Sequence, residues 1–296
     1  NSYGPKSARH APWPFRALWL LGFVIDVFLG QPASEVISLG YESGTSTVSF
    51  ASAAGRHVRA QLLRFPTIGR SIWNVYYSIM PREIQYFRKG TSHDRKEAFT
   101  QIFDGNEWIS AESKSGWGST LEETVEVRGR LPRLVRDLSV STFLDAPCGD
   151  YNWMRCVQFP KAMRYIGADI VPDLVDKLDM TYADKMHMFL KLDIVADPLP
   201  AADLWLCRHT LFHLPLIDVA RVLRRFKESQ IKYLLTTNHN FCRRNVDVNP
   251  GGYRYINLRK APFNLPKPIL QFDDFHLSRP PPNVLALWSR DQIPDL

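Results

Sequence analysis

Three aspartates follow apolar segments of the chain, in positions where a carboxylate can bind a nucleoside-like ligand. Asp145 ends FLD, Asp169 ends YIGAD, and Asp193 follows FLKL. Short apolar runs that alternate with helical segments predict parallel strands, and ligands of such sheets bind beyond the carboxyl ends of the strands. A carboxylate there can accept hydrogen bonds from both hydroxyls of a ribose. The pattern predicts this role for Asp169, with an ordinary helix N-cap as the alternative.

The loop after Asp145 has few of the features that bind phosphates. Phosphate-binding loops offer rows of backbone N–H groups and several glycines. In the sequence APCGDY, Pro147 has no N–H, Gly149 is the only glycine, and Asp145 and Asp150 add negative charge. The loop therefore disfavours an anionic cofactor and favours a cationic ligand without phosphates.

Four segments in this order resemble the class I S-adenosylmethionine-dependent methyltransferases: FLDAPCGD, YIGADIVPDLV, FLKLDIVADPLPAADLWLCRHTLFHLP and YLLTTN. The resemblance covers about residues 105–295 and points to a poorly characterised, largely bacterial subgroup. It implies an α/β, three-layer Rossmann-like methyltransferase fold whose mostly parallel seven-stranded sheet has an antiparallel terminal strand. It also implies S-adenosyl-L-methionine as cofactor and S-adenosyl-L-homocysteine as product. Pro147 and Tyr151 stand where the family loop usually has glycines.

The resemblance also implies which residues contact the cofactor. Asp145, Ala146 and Cys148 would line its methionine part through their backbone. Asp193 would accept the adenine amino group and Ile194 would pack on the ring, although loop capping is an alternative for Asp193. The full predicted cofactor-binding set is Asp145, Ala146, Pro147, Cys148, Gly149, Asp169, Ile170, Asp193, Ile194, Arg208, Ser115 and Gly116.

The last two members of this set belong to the segment SKSGWGST, which precedes the first predicted strand of the domain. Its hydroxyl groups and flexible backbone predict a grip on the cofactor's carboxylate through Ser115 and Gly116. A turn followed by a helix N-cap at Ser119 or Thr120 is equally compatible with the segment.

The segment CRHTLFHLP follows the fourth predicted strand and carries the candidate catalytic residues. Methyl transfer needs positioning above all, and it needs a general base only if the acceptor must lose a proton. We expect His209 to be that base for a hydroxyl acceptor, and we expect His213 to be mainly a packing residue with a weaker claim to catalysis. Cys207 with both histidines resembles a zinc corner, but no fourth ligand is evident and we predict no metal.

The polar connection TTNHNFCRRN and the following NPGGYRYINL are candidates for acceptor recognition, because specificity resides in such loops. The side chains that could contact a sugar, a peptide or an acid are His239, Asn240, Arg243, Asn245 and Arg254.

The charge of the chain is concentrated at its N-terminal end. The 296 residues carry a formal net charge of +7, of which ten Lys/Arg and four acids up to Gly90 account for +6. We therefore predict two parts: a basic and apolar N-terminal extension, residues 1–90, and a methyltransferase domain, residues 91–296. Because the domain is almost neutral, nucleic acid is disfavoured as its partner.

The extension contains an apolar run at residues 17–29 and then a predicted linker followed by amphipathic helices. The run is shorter than the roughly 20 residues that span a bilayer. It is compatible with a signal-peptide core, a short anchor, a helix on a membrane surface or a helix packed on the domain. We expect a cytoplasmic protein, with membrane association through residues 17–29 left open.

These observations predict a methyltransferase that acts on an oxygen or nitrogen of a small-molecule or glycan acceptor. One alternative is a non-catalytic module that binds S-adenosylmethionine as a scaffold or regulator. Another is a nucleic-acid methyltransferase that grips phosphates through residues 55–90. The sequence lacks an Asn/Asp-Pro-Pro-aromatic motif after the fourth strand, which disfavours this second alternative.

Overall fold

The computed structural model describes residues 94–275 and 282–296, together with residue 71 and three short strands. These strands are β1 (Ser38–Glu42), β2 (Thr45–Ser49) and β3 (Tyr86–Arg88). The chain divides into two compact units, one of Asn1–Phe87 with Leu277–Pro282 and one of Arg88–His276 with Asn283–Leu296. The interpretations of residues 17–29 and of the helices predicted within 55–90 lie outside the described residues.

Strands β1 and β2 form an antiparallel hairpin, with Glu42 opposite Thr45 and Ser38 opposite Ser49. The sequence predicted a linker in this stretch, so the hairpin is a difference from expectation. Thr45, Thr47 and Val48 are β-branched, and such residues favour strands even in a segment rich in serine and glycine.

The second unit alternates strands and helices, as the sequence predicts. Helix α1 begins at Arg95, where Asp94 accepts a hydrogen bond from the Glu97 amide at 2.8 Å, and α3 begins with Pro172, a residue that suits the first helical turn. The elements are α1 (Arg95–Asp104), α2 (Val125–Asp137), β4 (Thr142–Asp145), β5 (Arg164–Asp169), α3 (Pro172–Tyr182), β6 (His187–Lys191), β7 (Leu204–Cys207), α4 (Leu216–Glu228), β8 (Tyr233–Asn238), β9 (Tyr253–Arg254), β10 (Leu270–Asp273) and β11 (Val284–Ser289).

Seven of these strands form one sheet in the order β10–β11–β8–β7–β4–β5–β6. Neighbouring strands run parallel from β8 to β6, whereas β11 is antiparallel to both β10 and β8. This arrangement confirms the predicted fold class, a mostly parallel seven-stranded sheet with an antiparallel terminal strand.

Alternate side chains of the strands enter two different hydrophobic cores, one on each face of the sheet. Phe143 packs with residues of α2 and α3, and its neighbour Leu144 packs with residues of α4. In β7 the same alternation places Leu204 in one hydrophobic core and its neighbour Trp205 in the other. Burial of one large apolar side chain contributes about 1.5–3 kcal/mol, so the alternating pattern fixes a three-layer structure with helices on both faces.

The order of the strands also fixes where a ligand can bind. Strand β4 has β5 on one side and β7 on the other, so the chain changes direction across the sheet at this point. Connections that leave neighbouring parallel strands in opposite directions open a crevice at their carboxyl ends. None of the helices within the described ranges is long and apolar enough to cross a membrane.

Candidate functional site

A cleft that is partly open to solvent lies at the carboxyl ends of β4, β5 and β7. The structure brings most of the predicted site residues to this one cleft. Those that line it are Ser115, Asp145, Pro147, Cys148, Gly149, Asp169, Ile170, Asp193, Ile194, Arg208, His209 and His213.

Ala146 and Gly116 are the two predicted residues that do not line the cleft. Ala146 is fully buried, and its carbonyl accepts a hydrogen bond from the Trp205 indole N–H at 2.8 Å. Gly116 has a φ of +87°, and a Cβ atom there would lie 2.8 Å from the Cβ atom of Trp108. Both residues therefore support neighbouring structure, and Gly116 allows Trp108 its position on the cleft wall.

Asp145 is a buried acid at the end of β4, where it accepts a hydrogen bond from the Tyr165 hydroxyl at 2.7 Å. Burial raises the pKa of Asp145 to about 7, although the Tyr165 hydrogen bond and the charge of Arg208 act in the opposite direction. Without a bound cation the ionised carboxylate is thus costly here.

The raised pKa has a consequence for stability. The folded pKa, about 7, exceeds the ordinary value of 3.8, so the stability associated with the protonated acid is lost as the pH rises through 7. We expect Asp145→Asn to increase the free energy of unfolding at pH 8 by on the order of 2 kcal/mol. Urea denaturation at pH 5 and pH 8 checks this, with the exposed Asp173→Asn as control. A variant less stable than the parent at pH 8 would contradict it.

Two parts of the chain hold the loop after β4. They are Asp169, at the end of β5, and the segment SKSGWGST, which precedes α2. The Gly149 amide donates to Asp169 Oδ2 at 3.1 Å, and the Asp150 amide donates to Ser115 Oγ at 2.8 Å. The Asp150 carboxylate turns towards the same segment and accepts a hydrogen bond from the Ser113 hydroxyl. Gly149 has a φ of +54°, and a Cβ atom there would collide with the Ser115 hydroxyl, so the loop requires glycine at this position.

Tyr151 replaces a glycine of the family loop, yet it keeps a conformation that favours glycine. Its φ is +59°, in the left-handed region that non-glycine residues rarely adopt. The ring is buried against Tyr165, Tyr182 and Phe189, with centroid distances of 5.1 to 5.3 Å. This aromatic packing offsets the backbone strain and preserves the shape of the loop.

Asp169 completes the arrangement that the resemblance implies. Its carboxylate lines the cleft at the end of β5, and it also accepts a hydrogen bond from the Val171 amide at 3.1 Å. Burial raises the pKa of Asp169 to about 6, while the hydrogen bonds from Val171 and Gly149 limit the rise. The strand order, the loop after β4 and this acid occur together. The chain has the class I methyltransferase fold.

No protein-family profile matches the chain, and no curated protein sequence matches it. Solved structures do resemble it. The N-methyltransferase NodS of Bradyrhizobium japonicum WM9, in complex with S-adenosyl-L-homocysteine, has a TM-score of 0.46 and 14% identity over 66% of this chain and 98% of its own.

Two further methyltransferases resemble the chain at similar levels. The magnesium protoporphyrin IX methyltransferase ChlM of Synechocystis PCC 6803 has a TM-score of 0.45 and 12% identity over 67% of this chain and 100% of its own. The 1,6-didemethyltoxoflavin-N1-methyltransferase of Burkholderia thailandensis has a TM-score of 0.44 and 14% identity over 66% of this chain and 86% of its own.

Asp193 is held at one end of the cleft by Arg95, a residue of α1 that the sequence analysis did not identify. Arg95 donates from Nη2 to Asp193 Oδ2 at 2.7 Å and from Nη1 to Asp218 Oδ2 at 3.1 Å. The Val195 amide donates to Asp193 Oδ1 at 2.9 Å, which is the capping contact given above as the alternative role. The carboxylate retains lone pairs for a ligand, but its direction is fixed by protein groups.

Arg208 also lines the cleft and pairs with Asp274, an acid directly after β10. Its Nε and Nη2 atoms donate to the Asp274 carboxylate at 2.8 to 3.0 Å, and Nη1 donates to the Gly118 carbonyl at 2.6 Å. The guanidinium also stacks over the Trp153 ring, 5.2 Å from its centroid. Arg208 is therefore largely committed to protein groups, and its charge is compensated by Asp274.

His209 belongs to the same polar cluster. Its Nε2 atom lies 3.0 Å from the Asn283 amide nitrogen and 3.2 Å from Asp274 Oδ2. Its other ring nitrogen packs against Gly118, where a Cβ atom would collide with it. Burial and the charge of Arg208 lower the pKa of His209, against the effect of Asp274. Both ring nitrogens thus face protein groups, and the backbone φ of +53° holds this orientation.

His213 has a different environment, in the turn between β7 and α4. Its Nδ1 atom lies 2.6 Å from the Gly252 carbonyl oxygen. A carbonyl only accepts hydrogen bonds, so Nδ1 carries a proton and donates it to this carbonyl. The ring lines the cleft beside Trp108, at a centroid distance of 5.6 Å.

The polar residues predicted to recognise the acceptor do not line the cleft. Instead, Asn245 donates to the Asn257 and Ala261 carbonyls at 3.0 and 2.8 Å, and the Ile256 amide donates to His239 at 3.2 Å. Arg254 is fully buried and donates to the Leu211 carbonyl at 3.2 Å. These residues hold the loop together.

The cleft contains further residues that the sequence analysis missed. Five of them are aromatic or come from α1: Arg95, Phe99, Phe103, Trp108 and Trp153. A signal for Trp153 existed, because it follows the loop GDYN directly. Among the described residues no group of three metal-ligating side chains comes together, so Cys207, His209 and His213 form no such group.

Proposed function

We propose that this protein binds S-adenosyl-L-methionine in the cleft and transfers its methyl group to an oxygen or nitrogen atom of a small-molecule acceptor. The proposal rests on one hydrogen bond, which the backbone amide of Gly149 donates to the carboxylate of Asp169. A pyrophosphate would need this N–H, but it donates to the Asp169 carboxylate. The loop therefore faces an acid, and it suits a cofactor with positive charges and ribose hydroxyls.

The charges of the cleft support this cofactor. Asp145, Asp169 and Asp193 lie along it, whereas Arg95 and Arg208 are each paired with acids. A sulfonium and an ammonium group would favour the ionised forms of Asp145 and Asp169, which burial alone disfavours. The donor set thus fits S-adenosylmethionine better than NAD.

Each residue has a role in the proposal. Asp169 accepts the ribose hydroxyls with the lone pairs that its two backbone hydrogen bonds leave, and Asp193 accepts the adenine amino group. Ile170 and Ile194 pack on the adenine, and the backbone from Pro147 to Gly149 approaches the methionine part. The bound cofactor supplies a methyl group already activated by the sulfonium, so the protein mainly has to position the acceptor.

Calorimetric titration of the full chain with S-adenosylmethionine, S-adenosylhomocysteine and NAD tests the proposal. We expect the first two to bind and NAD to fail. We expect Asp169→Asn to weaken binding about 10- to 100-fold, because hydrogen bonds to a charged group contribute about 1.5–3 kcal/mol. Asp173→Asn makes the same change in an exposed residue of α3 outside the cleft and should have no effect.

Two results would overturn the proposal. One is a folded protein that binds neither S-adenosylmethionine nor S-adenosylhomocysteine. The other is equal affinity of the parent and Asp169→Asn for both, since the ligand would then lie elsewhere. Thermal unfolding of each variant shows that it is folded under the conditions of the titration.

A further inference from the structure

One face of helix α1 lies along the cleft. Arg95, Phe99 and Phe103 line the cleft, and their spacing of four residues places them on the same face of the helix. On the neighbouring face, Ala98 and Ile102 are buried in the protein. The helix therefore has a fixed position, and so has Arg95 at its first residue.

Arg95 occupies a place where helix stability does not favour an arginine. It begins α1, and the first turn of a helix carries a partial positive charge that repels a cation. Two acids account for the residue instead. Arg95 donates from Nε and Nη2 to Asp193 Oδ2 at 3.2 and 2.7 Å, and from Nη1 to Asp218 Oδ2 at 3.1 Å. Arg95 thus joins the acid after β6 to the first turn of α4.

Asp218 fixes the orientation of Arg95. It is 4% exposed, it belongs to the first turn of α4, and it does not line the cleft. Its other oxygen, Oδ1, accepts a hydrogen bond from Arg221 at 2.9 Å. A guanidinium group is planar and its donors form a rigid fork. Held by Asp218 through Nη1, Arg95 therefore presents Nε and Nη2 to Asp193 in one orientation.

The contacts of Asp193 leave it with a single acceptor position. A carboxylate has about four lone-pair positions. Arg95 occupies two on Oδ2, and the Val195 amide occupies one on Oδ1 at 2.9 Å. The remaining position is on Oδ1, and a ligand group that binds there has to be a donor. The amino group of adenine meets this requirement, and a purine without that group does not.

We propose that Arg95 is the positioning residue for recognition of the adenine amino group, because it holds Asp193 with one acceptor position for the cofactor. This inference rests on the proposed function. The Asp193 side chain is 20% exposed, so without Arg95 it can turn towards water. Hydration of an unpaired carboxylate is worth more than one hydrogen bond to an amino group. The amino group then loses its acceptor.

Calorimetry on the full chain tests this role with two ligands. They are S-adenosylhomocysteine and its analogue that carries purine without the 6-amino group. We expect the parent to bind S-adenosylhomocysteine about 10- to 100-fold more tightly than the analogue, since the analogue lacks one hydrogen bond to a charged group. Arg95→Met keeps an apolar side chain of similar length but cannot donate, and it should lower this preference to about 3-fold or less.

Three further variants complete the comparison. Arg95→Lys retains the charge but not the fork, so its preference should be intermediate, and it provides the same test if Arg95→Met does not fold. Asp193→Ala should also abolish the preference, because Arg95 acts through Asp193. The matched control is Arg133→Met, since Arg133 pairs with Asp137 on the exposed side of α2, outside the cleft, and should leave both affinities unchanged.

The preference between the two ligands distinguishes positioning from a structural role. A residue that only supports the fold would weaken both ligands equally and leave their ratio unchanged. If Arg95→Met or Asp193→Ala keeps the preference of the parent, or if the parent binds both ligands equally, the inference is wrong while the proposed function stands. If S-adenosylhomocysteine does not bind the parent, the proposed function fails first. Thermal unfolding shows whether each variant is folded.

Discussion

Replacing His213 with alanine should lower the free energy of unfolding by about 1–3 kcal/mol, because the Gly252 carbonyl then loses the donor that lies 2.6 Å from it. His213 and Gly252 are both buried, so water does not easily replace this donor. His213→Gln should cost less, since its amide can still donate to the carbonyl. The measurement is urea denaturation of the parent and both variants at pH 7.

A control variant shows that the loss is specific to this hydrogen bond. His187→Ala changes a histidine at the start of β6, paired with Asp184 and outside the cleft, and should have little effect. A His213→Ala variant as stable as the parent would contradict the role given to the hydrogen bond with Gly252.

The sequence predicted the fold well because the fold depends on local alternation. Segments such as YIGAD and LWLC place successive side chains on opposite faces of the sheet, and two cores with helices on both faces are the arrangement that buries both sets. The same logic located Asp145 and Asp169, because the carboxyl ends of parallel strands lie side by side. Their meeting in one cleft follows from sheet geometry alone.

The rest of the site depends on contacts between residues far apart in sequence. Asp274 is 66 positions from Arg208, and Arg95 is 98 positions from Asp193, so no local pattern could have paired them. The hydrogen bonds of the polar loop could not be predicted for a related reason. Asn245 and His239 have the residue types of a binding site, but only the structure shows that their hydrogen bonds stay within the loop.

Tyr151 shows that residue type is a weak guide to loop geometry when packing is strong. The sequence suggested a departure from the glycine-rich loop, yet Tyr151 adopts the left-handed conformation that a glycine would favour. Three neighbouring aromatic rings hold it there. Such tertiary support is not visible in a single sequence, and it explains how the loop tolerates this replacement.

Replacing Asp274 with alanine should lower the free energy of unfolding by about 3–5 kcal/mol, because it leaves the buried Arg208 charge without a partner. Arg208 and Asp274 have side chains that are only 4% and 0% exposed. Burial opposes ionisation of Asp274, but the charge of Arg208 and the hydrogen bonds from His209 and Arg208 outweigh it and lower its pKa.

The pH dependence of this stabilisation follows from the lowered pKa. A carboxyl whose folded pKa lies below its ordinary value of 3.8 contributes stability above that value and loses it as the pH falls through the folded pKa. Urea denaturation should therefore show the full difference between parent and Asp274→Ala at pH 7 and a smaller one in acid.

A double variant separates the ion pair from the packing around it. Arg208→Met with Asp274→Leu removes both charges and keeps much of the apolar volume, so it should cost less than Asp274→Ala alone. The loss of unfolding free energy in the double variant should be smaller than the summed losses of Arg208→Met and Asp274→Leu. Equal values would contradict this account, because the two residues would then act independently. The cluster also orients His209 and stacks on Trp153. The expected result would mean that one buried ion pair joins the segment after β10 to Arg208, which lines the cleft directly after β7.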